Sequence, residues 1–433
     1  MAKLLDKQRY KCAMGAMQSV QAINRAIPIL HSGPGCAQKL GDVVGGSGYF
    51  SPNIFPCTSI NEKDVVFGGV KKLHTTIENA LRVIDADLYV VMTGCIPEIV
   101  GDDVQSVVDE FADADKPVVF ASTAGFKGNN YKGYEAVISA ITGQYLKKTN
   151  VEKEKGLVNI WADVPYQDLF WLGNIQELSR LLEEIGLKAN FIFGYNRGIS
   201  AINRIPAAAL NLLVSPWVGE RNMKELEKKF GTPYLHYPVL PIGAFETSKF
   251  LRKVAEVAGA DKELAEEVIK KHEDYYYYLI ERYADMFLEA RVMAKQFTVV
   301  ADAQYTLGIT KFLVNDLGLT PARQFIADDT PKEFQEAITK EFQNLNYGIK
   351  AEVEFQTDSY KIHQYIDTHD YHGYPLVLGG YYEKEVTTAN SGHFLNISWP
   401  VDDKVVMDDF YVGYTGGIRL IEDIYSVVLQ RWN

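Results

Sequence analysis

Unbroken apolar runs recur along the chain, each followed by a stretch with helical spacing. DLYVVMTG (87–94), KPVVFAST (116–123), LVNIWADV (157–164), KANFIFGY (188–195), LNLLVSP (210–216), QFTVVADA (296–303) and PLVLGG (375–380) read as strands. Most are continuous rather than alternating, which is the pattern of parallel strands buried on both faces. Amphipathic segments such as NIQELSRLLEEIGL (174–187) and YTLGITKFLVNDLGL (305–319) lie between them and read as helices. Strand–helix–strand order predicts an α/β fold with mainly parallel sheets and right-handed crossovers.

Two segments interrupt the alternation. TGQYLKKTNVEKEKG (142–156) is charged and loses its apolar period, and a long helical block spans 261–296. They divide the chain into three Rossmann-like units: 1–150, 151–290 with the long linking helix, and 291–433. There is no sequence repeat and no low-complexity tract. Four consecutive tyrosines, 275–278, fall on the long helix and are expected to coat it against neighbours with their hydroxyls at the surface.

Composition adds limits. At 433 residues the chain exceeds one ordinary core, and 47% hydrophobic with 23% charged residues is a globular composition. A formal net charge of -12 speaks against a nucleic-acid partner while leaving room for a protein with a basic face. The first residues, MAKLLDKQRYKC, have no apolar signal core, and no stretch has the apolar length of a membrane span. A cytoplasmic protein is expected. All four cysteines (Cys12, Cys36, Cys57 and Cys95) fall in the first quarter of the chain. That is too few for a disulfide scaffold.

The spacing of these cysteines excludes a CxxC zinc ribbon or thioredoxin pair. Their settings are similar instead. Cys12 precedes Gly15 where a helix is expected to start, Cys36 follows Gly33-Pro34-Gly35, and Cys95 follows Gly94 ahead of a helix. Glycines such as Gly35 and Gly94 let backbone approach a bulky group, and a helix N-terminus favours thiolate over thiol. Three thiolates at loop mouths in one unit suit an iron–sulfur cluster, although any one of them alone reads as a packed core thiol. A cluster commonly takes four thiolates, so either Cys57 is the fourth ligand or another chain supplies the rest. Glu98, Asp102 and Asp103 read as first-turn helix acids, and His31 as a structural residue beside the glycine turn. No G-x4-GK[ST] motif occurs, so any ATP would bind a partner.

Cys12 with Gly15, HSGPGC (31–36), SINEKDVVFGG (59–69) and TGCIPEIVGDDV (93–104) resemble the nitrogenase component 1 family. The likeness continues through STAGFKGNNYKGY (122–134), SPW (215–217), LPIGAFETSKFL (240–251), VVADAQYTLGITKFLVNDLGLTP (299–321), SGHFLNISWPV (391–401) and VGYTGGIRLIEDI (412–424). It covers nearly the whole chain and favours the β-subunit type. In the family's α subunit a cysteine after the middle-domain strand and a late histidine hold the catalytic metal cofactor. Here the corresponding strand reads LLVSPWVGER and the closing region 402–418 has no histidine.

The resemblance implies that Cys12, Cys36 and Cys95 hold half of a P-cluster, an 8Fe-7S group completed by an α-like partner within a heterotetramer. It also implies an ATP-hydrolysing iron–sulfur reductase homodimer as electron donor, with the catalytic cofactor in the partner. The alternative within the family is a scaffold or maturase for assembly of the metal cofactor. Gly125 stands where the molybdenum enzyme's β subunit has a serine that ligates the oxidised cluster. Only eleven residues precede Cys12, so the partner-wrapping arm is not expected. Cys57 is extra to the family set, either as fourth ligand of a simpler 4Fe-4S cluster or as a buried thiol. The substrate is dinitrogen or another bond that resists reduction.

Overall fold

The computed structural model describes residues 13–46, 55–147, 151–288, 294–401 and 403–430. They form three sheets. The first contains β1 (Ala26–His31), β2 (Leu88–Thr93) and β3 (Val118–Ala121), side by side in that order. The middle sheet contains β4 (Glu154–Trp161), β5 (Lys188–Asn190), β6 (Ala208–Val214) and β7 (Tyr234–Tyr237), ordered β5-β4-β6-β7. The last contains β8 (Gln296–Ala301), β9 (Thr320–Pro321), β10 (Gln324–Ile326), β11 (Val353–Phe355), β12 (Leu376–Gly379) and β13 (His393–Asn396). Its order is β11-β10-β8-β12-β13, with β9 beside β8. Every ladder between these strands is parallel, as the continuous apolar runs predict.

Residues of β2 alternate between two cores. Leu88, Val90 and Met92 face a large core shared by all three sheets, and Tyr89 and Val91 face a smaller one with Ile29, Leu73 and Ile77. This two-residue period is what a parallel strand covered on both faces requires. The neighbouring strand β1 contains Pro28, which hides it from a reading by pattern. The amide of Leu30 donates outward to Pro56 O at 2.8 Å, away from β2. Pro28, two residues earlier, therefore turns its missing N–H to that same outer side, where the ladder to β2 loses nothing.

The middle sheet carries a buried ladder of asparagines. Asn190 Nδ2 donates to Asn159 Oδ1 at 2.8 Å, and Asn159 Nδ2 donates to Asn211 Oδ1 at 2.9 Å. The run 188–195, expected as one strand, pairs only over Lys188–Asn190. Phe191, Ile192 and Phe193 continue it as core residues outside the sheet, so the apolar run reports burial beyond the point where pairing ends.

The long helix Lys262–Leu288 carries the tyrosine quartet. Tyr276 alone is buried, and its hydroxyl donates to Asp316 Oδ1 at 3.1 Å. Tyr275, Tyr277 and Tyr278 are exposed, as helical spacing demands of four consecutive residues. The GYTGG segment (413–417) forms the first turns of the helix Gly413–Leu429. Asn174 Oδ1 accepts the amides of Tyr411 and Val412 at 3.0 and 3.2 Å, tying the start of that helix to the helix Trp171–Glu184 that follows β4. Among the described residues no helix is long and apolar enough to cross a membrane.

Candidate functional site

Parallel strands deliver their loops to one edge. His31 at the end of β1 is level with Thr93 at the end of β2. The chain leaves β1 through Ser32 and Gly33 into the helix Pro34–Gly46, whose third residue is Cys36. It leaves β2 through Gly94 into the short helix Cys95–Val100, whose first residue is Cys95. Cys36 is exposed and Cys95 half-buried, both as free thiols. Two of the expected thiols therefore sit on adjoining strand mouths. Cys12 lies outside the described residues, and the helix that follows it begins at Met14.

The two expected glycines differ. A Cβ built on Gly35 would have no heavy atom within 4 Å, so the backbone beside Cys36 borders open space. A Cβ on Gly94 would lie 2.1 Å from Ser32 Oγ and 2.8 Å from Ser32 Cβ. Gly94 is thus needed for close packing of the two loops, which its amide also joins by donating to His31 O at 3.0 Å.

Cys57 occupies a third position at the same edge. Residues 56–60 run beside β1: Thr58 N donates to Leu30 O at 3.0 Å and Ile60 N to Ser32 O at 2.9 Å. The Cys57 thiol donates to Ser32 O at 3.5 Å and accepts from Ser59 N at 3.3 Å. It is half-buried, with one hydrogen bond to the loop after β1 and one within its own segment. Among the described residues no group of three or more Cys, His, Asp or Glu side chains is arranged to hold a metal ion.

Polar side chains stiffen this edge. His31 is fully buried, with Nδ1 3.1 Å from Thr58 Oγ1 and Nε2 3.1 Å from Asp102 Oδ2. Burial lowers its pKa against the pull of Asp102, which favours the neutral ring. Asp102 Oδ1 also accepts Gly69 N at 2.9 Å. Asp102 is thus a loop residue linking three segments, and the expectation that it stands in the first turn of a helix is corrected. Asp103, expected in a first turn as well, stands one position earlier as the N-cap, accepting Ser106 N at 3.1 Å ahead of Val104–Asp109. Glu98 stands in the first turn of the Cys95 helix as expected. Its partners were not legible in the chain: Thr93 Oγ1 five positions earlier, and Ser122 Oγ at 2.6 Å and Lys127, both beyond reach of a local motif.

Exposed apolar side chains stand on the elements around Cys95. Phe67 is 80% exposed, Ile99 72% and Phe126 60%. They come from the helix Glu62–Phe67, from the adjoining Cys95 helix, and from the turn Gly125–Lys127.

The mouth of the middle sheet is different. After β6 the chain runs through Ser215 to Trp217, which is buried. The indole lies 5.3 Å from the Tyr131 ring and 6.1 Å from that of Phe334, and Nε1 donates to Asp328 Oδ2 at 3.0 Å. Side chains from all three sheets' surroundings fill this place.

Comparison with known proteins matches this architecture. The family model described as nitrogenase component 1 type oxidoreductase matches residues 12–429. The nitrogenase molybdenum-iron protein beta chain of Clostridium pasteurianum is 24% identical over 96% of this chain and 92% of its own length. That of Azotobacter vinelandii is 23% identical over 96% of this chain and 83% of its own length. The solved structure "Nitrogenase Cp1 at pH 6.5" superposes with a TM-score of 0.82 at 22% identity, covering 100% of this chain and 94% of that one. The chain belongs to the nitrogenase component 1 type oxidoreductases, as a subunit of the β type.

Proposed function

We propose that this chain is the β-like half of a component 1 complex in which Cys12, Cys36 and Cys95 supply half the ligands of an interfacial iron–sulfur cluster. An α-like partner supplies the others and holds the catalytic cofactor, in a cytoplasmic heterotetramer. The observation that carries this reading is the pair of thiols on adjoining strand mouths, where no three metal-ligating side chains among the described residues come together to close a site. The donor set suits the group: one sulfur is exposed, and the backbone at Gly35 borders open space. An iron–sulfur cluster, when bound, accepts and releases single electrons at a potential set by its surroundings.

The chain's own residues hold and shield the site. The Ser32–Gly94 contact fixes one loop against the other. Neutral His31, between Thr58 and Asp102, anchors the residues 56–69 that flank them. Cys57 serves this frame by bonding Ser32 O and is not counted as a ligand. Phe67, Ile99 and Phe126 offer exposed apolar side chains on the elements around Cys95, suited to docking of the ATP-hydrolysing reductase that feeds the cluster. Buried Trp217 in the middle sheet's mouth supports assigning the catalytic cofactor to the partner.

The test is anaerobic purification of the chain alone and with its α-like partner, with iron, acid-labile sulfide and EPR measured on both. Iron confined to the complex is the expected result. About four irons per lone polypeptide, as one cubane carries, would overturn the shared site and favour a 4Fe-4S scaffold protein with Cys57 as a ligand.

A further inference from the structure

One carboxylate gathers the segments around Cys95. Glu98 accepts from Ser122 Oγ at 2.6 Å, from Thr93 Oγ1 and from Lys127 Nζ, and Lys127 Nζ also lies 2.5 Å from Ser122 Oγ. Thr93 ends β2, and its Oγ1 accepts Thr123 N at 3.1 Å. Glu98 therefore joins the end of β2, the Cys95 helix and the loop after β3. Burial works to raise its pKa, but hydrogen bonds from Lys127, Ser122 and Thr93 prevail and hold the carboxyl below its ordinary range. It is a fixed negative charge one helical turn from Cys95.

The ion pair is lopsided. The Glu98 side chain is 11% exposed and that of Lys127 48%. Lys127 follows exposed Phe126 in the turn Gly125–Lys127.

We propose that Glu98 is a positioning residue for Cys95, and that the Glu98–Lys127 pair sets the reduction potential of the cluster bound there. This rests on the cluster reading of the preceding subsection. A nearby carboxylate disfavours electron uptake and a nearby ammonium favours it. Removing either charge therefore moves the potential in opposite directions, which a merely structural role would not do. Gln at 98 keeps the side chain's shape and its Ser122 and Thr93 donors, so the frame survives that change.

The complex with the α-like partner is purified anaerobically as wild type, Glu98→Gln and Lys127→Met. Iron content is measured, and midpoint potentials are read by EPR-monitored redox titration. Glu98→Gln is expected to shift the potential positive and Lys127→Met to shift it negative, with iron retained in both. Shifts of the same sign, or retained iron with unshifted potentials, would overturn the proposal. Hydrogen–deuterium exchange of the chain without its partner reads the positioning role apart from any cluster. Exchange in 95–100 and 122–127 is expected to be faster in Glu98→Ala than in Glu98→Gln, and equal rates refute positioning. A wild-type complex lacking iron refutes the cluster reading itself.

Discussion

At the scale of single residues, the three described cysteines separate by the setting of their sulfur atoms. Cys57 makes two hydrogen bonds, one to Ser32 O in the loop after β1 and one from Ser59 N in its own segment. Cys36 is exposed and Cys95 half-buried at the mouths of β1 and β2. Cys95→Ala is therefore expected to remove most of the iron from the purified complex, while Cys57→Ala retains it. Equal loss from both variants would count Cys57 among the ligands. The chain's glycine-flanked thiols were legible because their chemistry is local: a thiol, a turn and a following helix sit within a few residues. The hydrogen-bonded frame around them was not. Asp102 reaches His31 across 71 positions and Glu98 reaches Ser122 across 24. No spacing rule carries such pairs, because the sheet brings them together.

At the scale of elements, apolar runs identified the central strands and missed those whose partners tolerate irregularity. Strand β1 carries Pro28 in its middle, which reads against a strand, and β7 is half-buried along most of its length. Strands β9, β10, β11 and β13 are two to four residues long, too short to show a period. Helix contacts were equally hidden. A Cβ on Gly15 would lie 1.9 Å from Asn130 O, and one on Gly133 would lie 2.7 Å from Ala16 N. The helices Met14–Gln21 and Asn130–Ala140 thus meet backbone to backbone. Because backbone cannot rotate away, Gly15→Ala is expected to destabilise the chain by about 1–3 kcal/mol, as overpacking does. A lowered unfolding midpoint in denaturant checks this. An unchanged midpoint would mean that the two helices are free to separate.

At the scale of the whole molecule, sheets are joined through buried polar groups. Asp316, at the end of the helix Ala303–Asn315, accepts Ala244 N at 2.9 Å and Phe245 N at 3.3 Å, capping the helix Gly243–Ala258. Burial pushes its carboxyl from 3.8 up to about 7, against those amides and the Tyr276 hydroxyl, which hold it down. Between these values the unfolded chain has released a proton that the folded chain keeps. Stability from this group therefore falls as pH rises through that window, by about 1.4 kcal/mol per unit, and the loss is complete above its upper end. Asp316→Asn keeps the acceptor oxygen and removes the titration. Its unfolding midpoint is expected to decline less than the parent's between about pH 5 and 7. Parallel declines would assign the effect to the other buried carboxyls, such as Asp328, whose pKa burial also raises.

The contact between Ser32 and Gly94 has a consequence for descent. Two positions 62 apart in the chain share a space too small for a side chain at each, since a methyl group at 94 would overlap the serine. A lineage can gain a side chain at 94 only after the one at 32 has shrunk or the loops have parted. Changes at either place are thus filtered by the other, and the two thiol-bearing turns are inherited as a single unit.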